Sequence, residues 1–289
     1  MRYREFLSRI HQLLQPTSYL EIGVSGGQTL ALSRTRSIGV DPADDLVVEL
    51  GDNVTLSRTT SDEFFAGDQP LAGFDEPFVD LAFIDGLHLY EYVLRDFMNV
   101  EAHARWGSVV VLDDVLPRSP VEALRDRQTD AWTGDVWKIV PTLAGLRPDL
   151  FCLQVATKPT GLLVVLGADP DETTLRRQYE ELLERYTDPT LEPPQEILGR
   201  AGAVPPKKVL SAPFWRLLRE QRDRGVPRSE GLPELTRAMR RWAASSLTPE
   251  QAAAISPVLA PPRGLRRLGE GLRRRARKAR SGRGVSDGT

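Results

Sequence analysis

Apolar positions in the first 170 residues alternate between a helical and an extended spacing. Phe6, Ile10, Leu13 and Leu14 recur on one side of a helical wheel, which predicts a helix over 4–15. Five strand-like runs follow, and LAFID and SVVVL within them have the composition of a strand buried on both faces. They are SYLEIGV at 18–24, RSIGVDP at 36–42, NVTLSRTT at 53–60, VDLAFIDG at 79–86 and GSVVVLDDV at 107–115. Helical stretches separate them. QTLALSR opens one, SDEFF begins a short one with Ser61 as the expected N-cap, and YEYVLRDFMNVEAHA forms one that ends before Gly107. This βαβα rhythm predicts an α/β fold, a doubly wound and mostly parallel sheet with helices on both faces.

After residue 116 the pattern loosens. PRSPVEALRDRQTDAWTGD is polar, irregular and longer than most connections, which marks it as a candidate active-site loop. VWKIVPTLAGL reads as a helix, and LFCLQVATKPTGLLVVLG, 150–167, as two strands joined by a turn at 158–161. A terminal antiparallel hairpin on the sheet is therefore expected. DETTLRRQYEELLERYTD, 171–188, is a further helix, and from 189 to 262 prolines alternate with short helical patterns. The expected organisation is a main α/β domain over 1–169, a helical extension over 170–262 and a tail over 263–289.

Composition fits an ordinary folded core, with 40% hydrophobic and 27% charged residues. Cys152 is the one cysteine and lies in an apolar run, so packing is its expected role. No apolar run reaches the roughly 18–20 residues of a membrane span, and the N-terminus lacks a signal peptide's apolar region and cleavage site. A cytoplasmic location is the expectation. Of 38 Lys/Arg and 40 Asp/Glu, ten basic residues and two acids fall in 263–289, which leaves the rest of the chain at −10. An acidic body argues against nucleic-acid binding by the main domain. A solvated, disordered tail is the expectation, and a basic helix with Leu265, Leu268 and Leu272 on one side, lying weakly on an anionic membrane, is the alternative.

Chemistry concentrates at the ends of the strands. One apolar run ends at Asp85, with His88 three residues later, and another ends in Asp113-Asp114. Carboxylates just past such strands sit where open α/β sheets place ligands. Glu21-Ile-Gly23-Val-Ser25-Gly26-Gly27 forms a glycine turn after the first strand, and Asp41, 18 residues beyond Gly23, ends the second. An acid there can accept both hydroxyls of a ribose. Each feature also has a plain alternative: a turn for the glycines, a turn former for Asp41 or Asp85-Gly86, and a cap for His88.

Taken together, these segments resemble class I S-adenosylmethionine-dependent methyltransferases. Glu21 to Gly27 is similar to their first motif, and Ile38-Gly-Val-Asp41 to the acidic end of their second strand. FIDGLHLYEYVLRD and VVVLDDV resemble the branch that includes macrocin- and mycinamicin-type sugar O-methyltransferases, with catechol O-methyltransferase a more distant relative. The resemblance covers roughly 18–167 and implies a Rossmann-like fold. It implies that Glu21, Gly23, Ser25, Gly27, Asp41, Ser61, Asp62 and Asp85 contact S-adenosylmethionine. It also implies that Asp85, Asp113 and Asp114 hold a magnesium ion, and that His88 is the general base for a sugar-like hydroxyl. Magnesium's preference for hard oxygen ligands agrees with the three acids. Imidazole titrates near neutral pH, which agrees with the base. Trp132, Gly134-Asp135 and Trp137-Lys138 lie in the following loop, where a tryptophan can stack on a substrate ring or simply pack. Tyr90 and Asp96 are expected to be structural. A metal-independent methyltransferase and a non-catalytic cofactor-binding module are the alternatives, and an oligomer is compatible with the sequence.

Overall fold

The computed structural model describes residues 1–43 and 45–259. The tail over 263–289, with its expected disorder and membrane contact, lies outside the described residues. The elements begin with α1 (Tyr3–Leu14), β1 (Ser18–Ile22), β2 (Arg36–Val40), β3 (Val54–Ser57), α2 (Ser61–Ala66), β4 (Val79–Ile84), α3 (Tyr90–Ala102) and β5 (Ala104–Leu112). Next come α4 (Ile139–Leu146), β6 (Phe151–Val155) and β7 (Leu162–Leu166). The chain continues through α5 (Thr174–Arg177), α6 (Tyr179–Tyr186), α7 (Gln195–Leu198), α8 (Pro206–Leu210), α9 (Phe214–Asp223), α10 (Arg228–Ser246) and α11 (Pro249–Ile255).

Seven strands form one sheet in the order β3-β2-β1-β4-β5-β7-β6. β1 to β5 are parallel, while β7 pairs antiparallel with β5 and with β6, as the hairpin pattern predicts. With a core on each face, this is a Rossmann-like fold. β4 and β7 are buried along their whole length, whereas the edge strand β3 is only partly covered. Ile22, Ile84, Val110 and Leu112 face α3 and α4, while Tyr19, Leu81, Phe83, Val109 and Val111 face α1. Each such fully buried aliphatic side chain contributes about 1.5–3 kcal/mol.

The helices after residue 170 share this core rather than building their own. Trp215, Leu218, Met239, Trp242 and Ile255 pack in one cluster with Phe6, Phe83 and Val111. Trp106 of β5 donates its indole N–H to the Val226 carbonyl at 2.8 Å. Its ring fills the space a side chain at Gly231 would occupy.

Three local expectations are corrected. QTLALSR makes a single 3-10 turn at Leu30–Leu32, because β2 starts too soon after it for an α-helix to propagate. α2 is capped by Thr60, not Ser61, in a capping box with Glu63. The helix expected over 171–188 is two short ones, α5 and α6.

Register is what builds the site. Ile22 pairs with Val40 on one side and Ile84 on the other, and Ile84 pairs with Leu112. The next residues along β1, β2, β4 and β5 are Gly23, Asp41, Asp85 and Asp113, so all four emerge side by side at one end of the sheet.

Candidate active site

Gly23 has φ +84°, and a side chain there would run into the backbone carbonyl of Asp85. Its glycine thus serves the close approach of the β1 turn to the β4 end as well as any ligand. Ser25 and Gly27 also take left-handed conformations. Asp41 holds the turn from the next strand. Its Oδ2 accepts the backbone N–H groups of Val24 and Ser25, both at 2.8 Å, and its Oδ1 accepts that of Ala43 at 2.8 Å. With roughly two lone-pair sites per oxygen, Oδ1 takes a single donor among the described residues.

Glu21 sits beneath the turn. It is fully buried and accepts the Tyr19 hydroxyl and the Thr29 hydroxyl, each at 2.5 Å. Burial pushes its carboxyl up to about 8, against the pull of those two hydroxyls. Neither Glu21 nor Gly27 is among the residues that line the cavity described next.

A cavity of about 830 Å³ opens over the strand ends. Gly23, Ser25, Asp41, Ser61, Asp62, Asp85, His88, Asp113 and Asp114 line it, so the fold gathers nine sequence-derived candidates around one space. Tyr3, Tyr92, Asp96, Pro159 and Thr160 line it too. No motif announces Tyr3, Pro159 and Thr160, which arrive from α1 and the β6–β7 turn, whereas Tyr92 and Asp96 lie within the FIDGLHLYEYVLRD segment. Tyr3 is anchored by its backbone N–H to the Lys158 carbonyl at 3.1 Å and stacks on Phe83. Burial, and then the charges of Asp85 and Asp113, push its phenol up to about 12.

At one end of the cavity His88 bridges two acids. Nε2 is 3.4 Å from Asp85 Oδ1, and Nδ1 is 3.1 Å from both Asp114 Oδ2 and the Trp132 carbonyl. Two acceptors at Nδ1 assign a proton to that nitrogen, so Nε2 is the atom that gains or loses one. Burial disfavours the imidazolium, but Asp85, Asp114 and the Trp132 carbonyl outweigh it and carry His88 up to about 9. Asp113 is 6% exposed, and burial followed by the charges of Asp85 and Asp114 raises it well above the usual carboxylate range. Asp114, at φ +61°, is held by its own N–H to Asp113 Oδ1 at 2.8 Å. Burial raises its carboxyl to about 6, with the His88 charge opposing. Ligand atoms of Asp85, His88 and Asp114 lie within 4.8 Å of one another. Three crowded carboxyls, two of them buried, beside a single imidazole form a donor set that fits a divalent cation.

The loop after β5 supports this end. Gly134, at φ +55°, packs against the His88 carbonyl, which accepts the Asp135 N–H at 3.2 Å. Asp135 in turn accepts the N–H of Tyr90, the first residue of α3, at 2.7 Å. The buried Lys138 ion-pairs with Asp135 at 2.9 Å. The Trp132 ring stacks on His88 at 5.3 Å, whereas Trp137 is core. Tyr90 is fully buried and meets the Thr142 hydroxyl at 2.9 Å, a structural role as expected.

At the opposite end Asp62 is engaged by the fork of Arg95, Nε to Oδ1 at 2.9 Å and Nη2 to Oδ2 at 2.8 Å. Asp96 is 2% exposed, and burial lifts it to about 7, against a hydrogen bond from Ser61.

Residues 20–115 match the model of a family described as a methyltransferase domain. The matched span is about a third of the chain, and all four strand-end positions, Gly23, Asp41, Asp85 and Asp113, lie within it. No curated protein matches the chain. Solved structures similar to it include an O-methyltransferase from Bacillus cereus in complex with SAH, at 18% identity and TM-score 0.43, covering 57% of this chain and 80% of that one. The O-methyltransferase TomG from Streptomyces achromogenes, involved in tomaymycin synthesis and in complex with SAM, is 21% identical with TM-score 0.44, covering 58% and 80%. A putative O-methyltransferase from Klebsiella pneumoniae is 19% identical with TM-score 0.44, covering 58% and 80%.

Proposed function

We propose that the chain is an S-adenosylmethionine-dependent O-methyltransferase that methylates a hydroxyl of a sugar or glycosylated small molecule with the help of a divalent cation, magnesium. The observation that carries this reading is the His88 bridge between Asp85 and Asp114 inside the cavity, beside a glycine turn fixed by Asp41. The sugar-like acceptor is supported by the D-G-x-H-x-Y segment, Asp85 to Tyr90, and its resemblance to sugar O-methyltransferases.

Bound S-adenosylmethionine supplies an electrophilic methyl group, and a bound divalent ion lowers the pKa of an acceptor hydroxyl. The chain's own groups do the rest. Gly23 and Ser25 offer a close backbone surface, and Asp41 Oδ1 is placed to accept a ribose hydroxyl. Asp85 and Asp114, with Asp113 beside them, would hold the cation. His88 Nδ1 stays committed to Asp114 and the Trp132 carbonyl, which orients Nε2 as the proton acceptor. With Asp85 and Asp114 free, His88 is raised to about 9 and only its neutral fraction at neutral pH can accept a proton. A divalent ion held by Asp85 and Asp114 would take up those charges, and His88 Nε2 would then be the more readily available proton acceptor. Holding the hydroxyl in line with the methyl group supplies much of the acceleration.

A second reading follows from the same bridge. His88, as a cation, already compensates Asp85 and Asp114, so a metal-independent transferase would use His88 alone. Calorimetric titration with S-adenosylhomocysteine, with and without magnesium, joined to transfer of labelled methyl to a panel of glycosides, tests both. The metal-assisted reading expects magnesium binding that Asp114→Asn removes, and transfer that stops in EDTA. Undiminished transfer in EDTA sinks the metal's role, and no binding of S-adenosylhomocysteine sinks the cofactor.

A further inference from the structure

One residue of the C-terminal helical extension reaches the segments that build the acid end of the cavity. Arg200 follows α7 at φ +52°, and the chain then runs beside β6, where the Val204 N–H donates to the Gln154 carbonyl at 2.8 Å. The half-buried Arg200 guanidinium donates to the carbonyls of Pro159 at 2.6 Å, Leu116 at 3.0 Å and Thr157 at 3.3 Å. Thr157 and Pro159 belong to the turn between β6 and β7, and Leu116 to the loop that leaves β5. A planar fork of donors suits carbonyls that converge from two segments, where an ammonium offers only a point charge.

The two segments that Arg200 ties carry Asp114 and its support. Leu116 lies two residues after Asp114, and Pro159 precedes Thr160. The Leu116 N–H donates to the Thr160 carbonyl at 2.7 Å, and the Thr160 hydroxyl, on a residue 3% exposed, donates to the Asp114 carboxylate. Asp114 stands at φ +61°, a left-handed conformation that few non-glycine residues keep without support from their surroundings. Its Oδ2 lies 3.1 Å from His88 Nδ1. Arg200 is not among the residues that line the cavity, so its influence on the site runs through these partners. We infer that Arg200 is a positioning residue for the acid end of the site: it fixes the β6–β7 turn against the end of β5, so that Thr160 holds the Asp114 carboxylate where a divalent cation is taken up. The inference rests on the metal-assisted reading above, and it gives the extension a part in the chemistry as well as in the core.

The test is calorimetric titration of magnesium, and separately of S-adenosyl-L-homocysteine, into the full chain and into Arg200→Ala, Arg200→Lys and Thr160→Val, with thermal melts to confirm folding. Partners that orient a ligating group commonly govern metal affinity by about 10–100-fold, so Arg200→Ala and Thr160→Val are each expected to weaken magnesium binding about ten-fold. Arg200→Lys keeps the charge and loses the fork, and is expected to weaken it about three-fold. Affinity for S-adenosylhomocysteine should stay within about two-fold in all three, because the glycine turn and Asp41 stand on other strands. Unchanged magnesium affinity in a folded Arg200→Ala overturns the inference, and Arg200→Lys is read in its place if the alanine variant does not fold. Unchanged magnesium affinity in Thr160→Val overturns it as well, since the route through Thr160 is then absent. A parallel loss of magnesium and S-adenosylhomocysteine affinity also overturns it, by marking Arg200 as a support of the fold alone. Binding of no magnesium by wild type that still binds S-adenosylhomocysteine overturns the metal reading itself, and the inference with it.

Discussion

Two groups of acids lie at opposite ends of the sheet and are treated in opposite ways. At the end where α3 finishes and β6 begins, Arg147, 1% exposed, donates to Glu101 at 2.6 Å and to Asp149 at 2.8 and 3.0 Å, and reaches Glu172 at 3.3 Å. The acids there are compensated by a guanidinium that cannot be titrated away. At the end where β4 and β5 finish, Asp85 and Asp114 share the imidazole of His88, and Asp113 lies buried behind them with its carboxyl driven upward by its neighbours. Fixed compensation makes a structural joint. Titratable compensation makes a place where charge can be exchanged for a ligand.

Substitutions at the two ends can break that contrast. The largest effect is expected from His88→Ala, which should lower methyl transfer to an acceptor found by screening by about 10²–10⁴-fold. Its affinity for S-adenosylhomocysteine should stay within about three-fold. A parallel loss of both would mean that His88 shapes the pocket rather than the reaction. Next comes Arg147→Ala, expected to cost about 3–5 kcal/mol in denaturant unfolding by leaving Glu101 buried and unpaired. The fraction that remains folded should transfer methyl groups as wild type does. A stable Arg147→Ala with impaired transfer would erase the distinction.

The smallest effect is a pH dependence. A histidine raised to about 9 contributes stability that is fully present below its ordinary 6.5 and is lost as pH climbs through 9. Wild type in chelator should therefore lose up to about 3 kcal/mol between pH 6.5 and 9.5 from this group. His88→Gln should flatten that part of the profile. Identical profiles for the two proteins would show that the acids do not hold His88 charged.

Much of the site was legible because its chemistry sits in contiguous motifs. Asp85, His88, Asp113, Asp114 and Asp41 all occur at the polar ends of apolar strands, and all reach the cavity. Glu21 is the instructive exception. It occupies a motif position, yet strand alternation turns its side chain under the turn, onto Tyr19 and Thr29. Asp62 and Asp96 carry different hydrogen-bond partners for a related reason. Which acid is satisfied depends on where Arg95 reaches, and no local pattern records that.

By itself the sequence determined the strands, their parallel order of appearance, the terminal hairpin and the acids at the strand ends. Hydrophobic periodicity and turn residues act over a few positions and are written in local order. Only the tertiary structure decided the register that aligns Gly23, Asp41, Asp85 and Asp113. It also decided the entry of Tyr3 and Thr160 into the cavity, and the wrapping of the C-terminal helices over the Phe6 and Phe83 face. Those outcomes depend on contacts between segments tens to hundreds of residues apart, where packing and charge compensation choose among partners that the local sequence leaves equal.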